Sequence, residues 1–274
     1  MDYKELLIKA KEMKYNFLFH SEEQSEEFFS RLDSNIIEII DDKIMLFIER
    51  CSTANQLYWA GENINEVAKS LKVLKSKFNN GEILNVSCSQ DKNSKGLINE
   101  MLNEFIKEGC RVSHHYVGYL TSNLDVISNE CGSIEQATTS DVERIYGIID
   151  NSLGIQKFEM NEEDIREYME DGKNIVLVIR EDNIAAGVIF ARIFKNEIRN
   201  TLRLFIRGLA VDERYRGKGY SNKLLHKAFN WAKENGAVDS MLWVEKNNKV
   251  AINLYKKFGY SPYGEEEVSL SYVI

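Results

Sequence analysis

Residues 207–236 read RGLAVDERYRGKGYSNKLLHKAFNWAKENG, and this stretch decides the fold. The apolar run through Leu209, Ala210 and Val211 reads as the end of a strand that begins near Thr201. After the glycines, Leu224, Leu225, Ala228, Phe229 and Ala232 recur at helical spacing. Asn235-Gly236 closes that helix. Between strand and helix lies Arg214-Tyr215-Arg216-Gly217-Lys218-Gly219. A glycine turn that leads from a strand into a helix presents unbonded backbone N–H groups at the positive end of the helix, which makes an anion site. Glycine belongs where the backbone must take positive φ or approach a phosphate closely. Arg214, Arg216 and Lys218 add positive charge at the same place, and Ser221 is placed to cap the helix or donate to a phosphate oxygen.

The turn alone fits other readings. A solvated basic turn has the same residues. A dinucleotide-binding fold also places glycines after a strand and before a helix. Here the third glycine is missing from Gly217-Lys218-Gly219-Tyr220-Ser221-Asn222, and Asp239 precedes the next strand, expected at Ser240–Glu245. Glu245, at the end of that strand, would have to serve as the ribose acid, and no further βαβ unit follows.

Residues 243–263, WVEKNNKVAINLYKKFGYSPY, separate these readings. Asn248 is a helix cap, Val250, Ala251, Leu254, Tyr255 and Phe258 share a helical face, and Gly259 stops the helix. With both stretches in view, the chain resembles the GNAT superfamily of acyl-CoA-dependent N-acyltransferases. Arg214-x-x-Gly217-x-Gly219 matches that family's acyl-CoA loop, [Q/R]-x-x-G-x-[G/A]. Asn248-x-x-Ala251-x-x-x-Tyr255 followed by Lys257-Phe258-Gly259-Tyr260 matches its second motif. The two occur in the family's order, on strand, helix, strand and helix, over about half the chain.

The resemblance implies an α/β (α+β) fold with a mixed sheet that splays open between the strand ending at Val211 and the strand Ser240–Glu245. Acetyl-CoA would be the co-substrate and an amine the acceptor. The pantetheine arm would lie along Leu209, Ala210 and Val211, bonded to backbone groups of Leu209 and Val211. The pyrophosphate would sit on the N–H groups from Arg216 through Gly217, Lys218, Gly219 and Tyr220 to Ser221. Asn248 would reach the pantetheine. Tyr255 would be the general acid that protonates the leaving thiolate, with a backbone N–H at Val211 facing the oxyanion. The family's usual carboxylate, six residues before Val211, is replaced by Phe205. Glu245 is a candidate base but equally reads as a surface or capping residue, and a water relay or an already neutral amine would need no base, so none is assigned. A non-catalytic CoA-binding module is the alternative reading.

Composition agrees with a folded water-soluble protein of one or two domains: 274 residues, 43% hydrophobic and 28% charged. A formal charge of −8 argues against nucleic acid, whose phosphates require a basic face. No run of about 18 apolar residues would span a membrane, and MDYKELLIKAKEMKY lacks the apolar core of a signal peptide. A cytoplasmic setting is expected. Cys51, Cys88, Cys110 and Cys131 show no metal-ligand spacing, so no metal is expected. His114 and His115 point to opposite faces of a strand. His226 reads as an exposed helical residue, and Trp59, Trp231 and Trp243 as core.

Residues 1–125 are expected to form one domain and 132–274 a second, with a polar boundary at Thr121–Cys131. The first has helices at Tyr3–Phe19 and Glu22–Leu32, and strands meeting at Asp41-Asp42-Lys43. A strand at Gln56–Ala60, a helix at Asn65–Phe78, a strand at Glu82–Ser87, a helix at Gly96–Lys107 and a strand at Cys110–Leu120 follow. This order parallels the second half, which suggests a tandem pair of GNAT-like sheets. Gly61-Glu62-Asn63 stands where the first domain would need a phosphate loop, with an acid and one glycine, so that domain reads as degenerate. Oligomeric state is left open; a monomer fits if the first domain imitates a dimer partner.

Overall fold

The computed structural model describes residues 3–16, 36–40, 43–50, 55–90, 96–125, 134–153, 160–196 and 199–274. The chain divides into two compact units, Met1–Val117 with Gly264–Ile274, and Gly118–Tyr263. The expected helix at Glu22–Leu32, the Asp41-Asp42 turn, Phe17, Cys51 and Cys131 lie outside the described residues.

In the first unit α1 (Tyr3–Glu12) and β1 (Tyr15–Asn16) precede three strands, β2 (Ile36–Ile40), β3 (Ile44–Glu49) and β4 (Asn55–Gly61). β2, β3 and β4 are antiparallel neighbours. Then α2 (Ile64–Leu74) carries the chain over to β5 (Ile83–Gln90), which pairs parallel with β4 from Asn55 to Leu57. A parallel neighbour needs such a crossover. α3 (Leu97–Lys107) and β6 (Arg111–Thr121) follow. The apolar stripe of α2 (Ile64, Val67, Ala68, Leu71, Leu74) and that of α3 (Ile98, Met101, Phe105) bury against Leu57, Trp59 and Val86. The Trp59 indole N–H donates to the Ser87 carbonyl at 2.9 Å, so its polar edge is satisfied inside the core. Cys88 and Cys110 are buried free thiols, and burial pushes Cys110 up to about 12.

The second unit runs β7 (Ile134–Gln136), α4 (Val142–Leu153), α5 (Glu162–Glu170), β8 (Asn174–Glu181), β9 (Ile184–Asn196) and β10 (Thr201–Val211). It continues with α6 (Tyr220–Glu234), β11 (Ala237–Glu245) and α7 (Lys249–Lys257). β7 to β10 are antiparallel in order, and β11 joins β10 in parallel after the α6 crossover. One sheet face, with Val176, Val178, Val188, Phe190 and Ala210, packs under Ile145, Ile149 and Ile165 of α4 and α5. Leu224, Leu225, Ala228, Phe229 and Ala232 of α6 are buried as the spacing requires, and Phe229 meets Phe258 edge-on at 5.6 Å.

Three expectations are corrected. The residues from Gly264 onward belong to the first unit: β12 (Ser261–Val273) pairs antiparallel with β5 from Glu266↔Gln90 to Val273↔Ile83. The cause is the inward alternation of Val268, Leu270 and Tyr272, all buried in the first unit's core. β11 starts at Ala237, so Asp239 lies inside the strand, where Arg203 is its register partner. Val250 does not share the buried face of α7. It is 84% exposed at the first turn, off the stripe through Ala251, Tyr255 and Phe258.

Candidate functional site

The site begins where β10 and β11 part. Their parallel pairing runs from Leu202↔Ala237 to Ile206↔Leu242 and stops, although β10 continues to Val211 and β11 to Glu245. β10 stays paired with β9 on its other side up to Val211↔Gly187. The Asp212 N–H donates to the Ala186 carbonyl of β9 at 3.0 Å. Backbone groups alternate sides along a strand, so those of Leu209 and Val211 face the split while those of Ala210 face β9. The Val211 carbonyl accepts from Arg216 Nε at 3.3 Å and from Ser152 Oγ at 3.4 Å. The expected splayed sheet is present, with the backbone of β10 beyond Ile206 unpaired with β11.

At the end of β10 a 3-10 turn, Glu213–Tyr215, leads into the glycines. Gly217 and Gly219 take φ of 80° and 77°, in the left-handed region, and a Cβ on either would meet nothing within 4 Å. Conformation, not crowding, requires glycine at both positions. Gly219 is also the N-cap of α6 and offers it no side-chain cap. The first helical bond from there is Lys223 N–H to the Gly219 carbonyl at 3.2 Å, which leaves the N–H groups of Tyr220, Ser221 and Asn222 without intrahelical acceptors. Ser221 is therefore a residue of the first turn and not the cap. The Arg216 N–H differs from expectation too. It closes the 3-10 turn on the Glu213 carbonyl at 3.3 Å, so the donors left for an anion start at Gly217.

The basic side chains already have partners. Arg214 donates twice to Asp212, at 3.1 and 2.8 Å, and Lys218 Nζ lies 2.7 Å from Glu181 Oε1. Asp212 also pairs with Arg144 and accepts the Arg214 N–H at 3.0 Å. These bonds, the Arg214 guanidinium first among them, hold the Asp212 carboxyl well below the usual carboxylate range. Asp212 fixes the entry to the loop, and the sequence reading missed it. An Asp two residues before an Arg at a helical turn is an N-cap pattern that could have found it, whereas nothing local marks Arg144 or Glu181 as partners.

α7 carries the second motif. The Asn248 side chain caps it, accepting from Ala251 N–H at 3.0 Å, as expected. Its Oδ1 is thus taken up, and only its amide nitrogen is left for a ligand. Tyr255 is 8% exposed and packs edge-on to Tyr260 at 5.7 Å. Burial pushes its phenol up to about 12, so it keeps its proton at neutral pH. The Tyr260 hydroxyl is committed to Ser240 Oγ at 2.6 Å. Phe205 pairs in register with Arg192 and Met241 and brings no carboxylate to the wall.

The remaining candidates are structural. Asp239 is 2% exposed and accepts two bonds from Arg203, at 2.6 and 2.8 Å, so it holds the closed end of the β10–β11 pair. His226 is half-buried against Phe258, with ring centroids 4.7 Å apart, because it follows Leu225 onto the packed side of α6. His115 pairs with Glu266 at 2.6 Å, while His114 lies beside Tyr116, so the two imidazoles do part. Trp59 is core; Trp231 and Trp243 are half-buried. No cluster of metal-ligating side chains occurs among the described residues. A concavity of about 310 Å³ lined by Lys173, Arg192, Lys195, Leu202, Trp231 and Asn235 lies at the C-terminal end of α6, away from the loop.

Comparison with known proteins agrees with this geometry. Residues 142–260 match the model of the Acetyltransferase (GNAT) family. The chain is 42% identical to the uncharacterized N-acetyltransferase YobR of Bacillus subtilis over 57 residues, 21% of this chain and 23% of that protein. It is 32% identical to streptothricin acetyltransferase A of Bacillus subtilis over 104 residues, 37% of this chain and 56% of that protein. The matches thus span less than two thirds of these relatives. A GCN5-related N-acetyltransferase from Sphaerobacter thermophilus has the same fold with a TM-score of 0.62 at 12% identity, over 92% of this chain and 85% of that one. No helix among the described residues is long and apolar enough to cross a membrane. Residues 142–260, which hold the splayed strands, the glycine loop and Tyr255, are a GNAT-type acetyltransferase domain.

Proposed function

We propose that the second unit transfers the acetyl group of acetyl-CoA to a primary amine by direct attack. The observation that carries the reading is the end of β10–β11 pairing at Ile206↔Leu242, with an uncapped helix N-terminus beyond the end of the freed strand. A pantetheine arm is an extended chain of amides. Laid in the split, it would pair with the backbone of Leu209 and Val211 as a missing strand does. The pyrophosphate would take the N–H groups from Gly217 to Ser221, and Arg214 and Lys218 would trade their present carboxylates for phosphate oxygens.

In the reaction the neutral amine forms a C–N bond to the thioester carbonyl, and the C–S bond breaks. The Val211 N–H faces the developing oxyanion, Tyr255 gives its proton to the leaving thiolate, and the proton that the amine nitrogen sheds passes through solvent water and restores the phenol. A phenol that burial raises to about 12 keeps its proton at neutral pH, which supports reading Tyr255 as the proton donor. Without a carboxylate at Phe205, the amine enters as its neutral fraction. A cytoplasmic setting suits this co-substrate.

We read the first unit as a degenerate copy of the same sheet. β4 and β5 also pair in parallel only briefly, from Asn55 to Leu57, and then run on unpaired with each other. Its α2, however, is capped by its own Asn63, which accepts from Asn65 N–H at 2.9 Å. A Cβ on Gly61 would come within 2.4 Å of Val67, so that glycine serves packing. Glu62 adds an acid at the same place.

The test is thiol release from acetyl-CoA across an amine library, beside calorimetry with acetyl-CoA. Binding with amine-dependent thiol release supports acetyl transfer. Binding with no turnover on any amine favours a CoA-binding module, and no binding removes the reading.

A further inference from the structure

Two cations of the glycine loop share one aromatic plate. The Arg214 guanidinium carbon lies 5.6 Å, and Lys218 Nζ 5.3 Å, from the centroid of the Tyr215 ring. Each cation also holds an acid, and the two acids are placed differently. Asp212 caps the 3-10 turn through the Arg214 N–H and pairs with Arg144, whose Nε donates to the Ala185 carbonyl at 3.0 Å. Asp212 therefore keeps a guanidinium and a structural task if Arg214 swings away. Glu181 ends β8 at the two-residue turn Asp182-Asn183, whose φ of 48° and 64° fold the strand back with Glu181 opposite Ile184. The turn delivers the Glu181 carboxylate to Lys218 Nζ at 2.7 Å, from 37 positions away in the sequence. That pair is open to water, with the two side chains 31% and 47% exposed.

We propose that Glu181 is an internal competitor of the CoA pyrophosphate for Lys218: it yields the ammonium when phosphate binds, takes it back as CoA departs, and so speeds product release. The inference rests on the reading of Gly217 to Ser221 as the pyrophosphate site. Acetyl-CoA and product CoA share the pyrophosphate, so a loop that grips one grips the other, and turnover requires the product to leave. A lysine ammonium is a compact charge with rotatable donors on a flexible stem, so it changes partner by a small swing. The Tyr215 ring keeps it beside the loop with either partner. A partly exposed ion pair is weak, whereas an ammonium on phosphate oxygens makes charge-assisted bonds, so the exchange runs toward phosphate, less the cost of breaking the Glu181 pair. Removing the carboxylate removes that cost, about two- to fivefold in Kd. The two roles open to Glu181 differ in sign. A carboxylate that positions Lys218 for its ligand weakens binding when removed, and a competitor strengthens it.

The test is calorimetry with acetyl-CoA and with CoA, beside stopped-flow dissociation of CoA, on wild type, Glu181→Gln, Lys218→Met and the double variant. Glu181→Gln should bind both ligands about two- to fivefold more tightly, through slower dissociation, and Lys218→Met should bind them more weakly. In the Lys218→Met background the Glu181 change should have no effect, because no ammonium is left to compete for. Both side chains are partly exposed, so the variants are expected to fold. Glu181→Ala repeats the measurement without an amide oxygen that could still accept from Lys218. Unchanged or weaker binding in Glu181→Gln and Glu181→Ala overturns the inference. So does a gain that survives Lys218→Met, which would be repulsion of the phosphate by the carboxylate rather than exchange. Either result leaves the loop assignment standing. Wild-type protein that binds no acetyl-CoA removes the parent reading and the inference with it.

Discussion

Replacing Gly219 by Val separates the chemistry of the loop from its stability. Gly219 sits at φ 77° with open space around a would-be Cβ, so the variant clashes with nothing in the protein. What it costs is backbone conformation, about 1–2 kcal/mol for an L-residue in the left-handed region and somewhat more when β-branched. Gly81 supplies the matched control: φ 91°, also nothing within 4 Å, and no proposed ligand. Both variants should therefore lose a few degrees of Tm. Only Gly219→Val places methyl groups where a pyrophosphate would approach Gly217 to Ser221. Losing one charge-assisted N–H bond to phosphate is worth about 1.5–3 kcal/mol, or about 10- to 150-fold in Kd for acetyl-CoA. Calorimetry on the folded proteins is the assay. Unchanged affinity in Gly219→Val, or an equal loss in Gly81→Val, refutes the assignment of the loop.

Tyr255→Phe should lower kcat about 10²-fold with little change in acetyl-CoA affinity, and steady-state kinetics with full turnover would return Tyr255 to packing. Because burial raises this phenol to about 12, it ionises later in the folded chain than in the unfolded one. Its contribution to stability is therefore whole below about pH 10 and is lost as pH rises from there through about 12, which denaturant midpoints across that window would follow. Asp239→Ala should destabilise by about 3–5 kcal/mol, since it strands the Arg203 guanidinium in a closed sheet; a urea midpoint near wild type would contradict the buried pairing. Titration of the whole chain should give one acetyl-CoA bound per chain. Two would mean that the first unit binds as well, despite Asn63 and Glu62.

What the sequence shows and hides follows from how local each cause is. Gly217, Gly219, Gly236 and Gly259 end or open helices with positive φ, and each is readable because the backbone demand falls on a single residue. The Asn248 cap and the α6 stripe are equally local. The bulge at Arg207 is not, since RGLAV reads as an unbroken strand and only the register against β9 exposes the insertion. Arg144 and Asp212 are 68 positions apart, and no spacing rule joins them. The division of the chain failed for the same reason. Val268, Leu270 and Tyr272 announce a strand with one buried face, but not which core it enters. Val250 was misplaced because a five-residue apolar set on a short helix is wider than the stripe that packing uses.

A crystal structure of the protein with acetyl-CoA tests the central claim most directly. The account requires the pyrophosphate on the N–H groups from Gly217 to Ser221, the pantetheine amides bonded to Leu209 and Val211 in the β10–β11 split, and the thioester within reach of the Val211 N–H and the Tyr255 hydroxyl. Acetyl-CoA bound anywhere else, or a split that closes with β10 and β11 paired beyond Ile206↔Leu242, would contradict it.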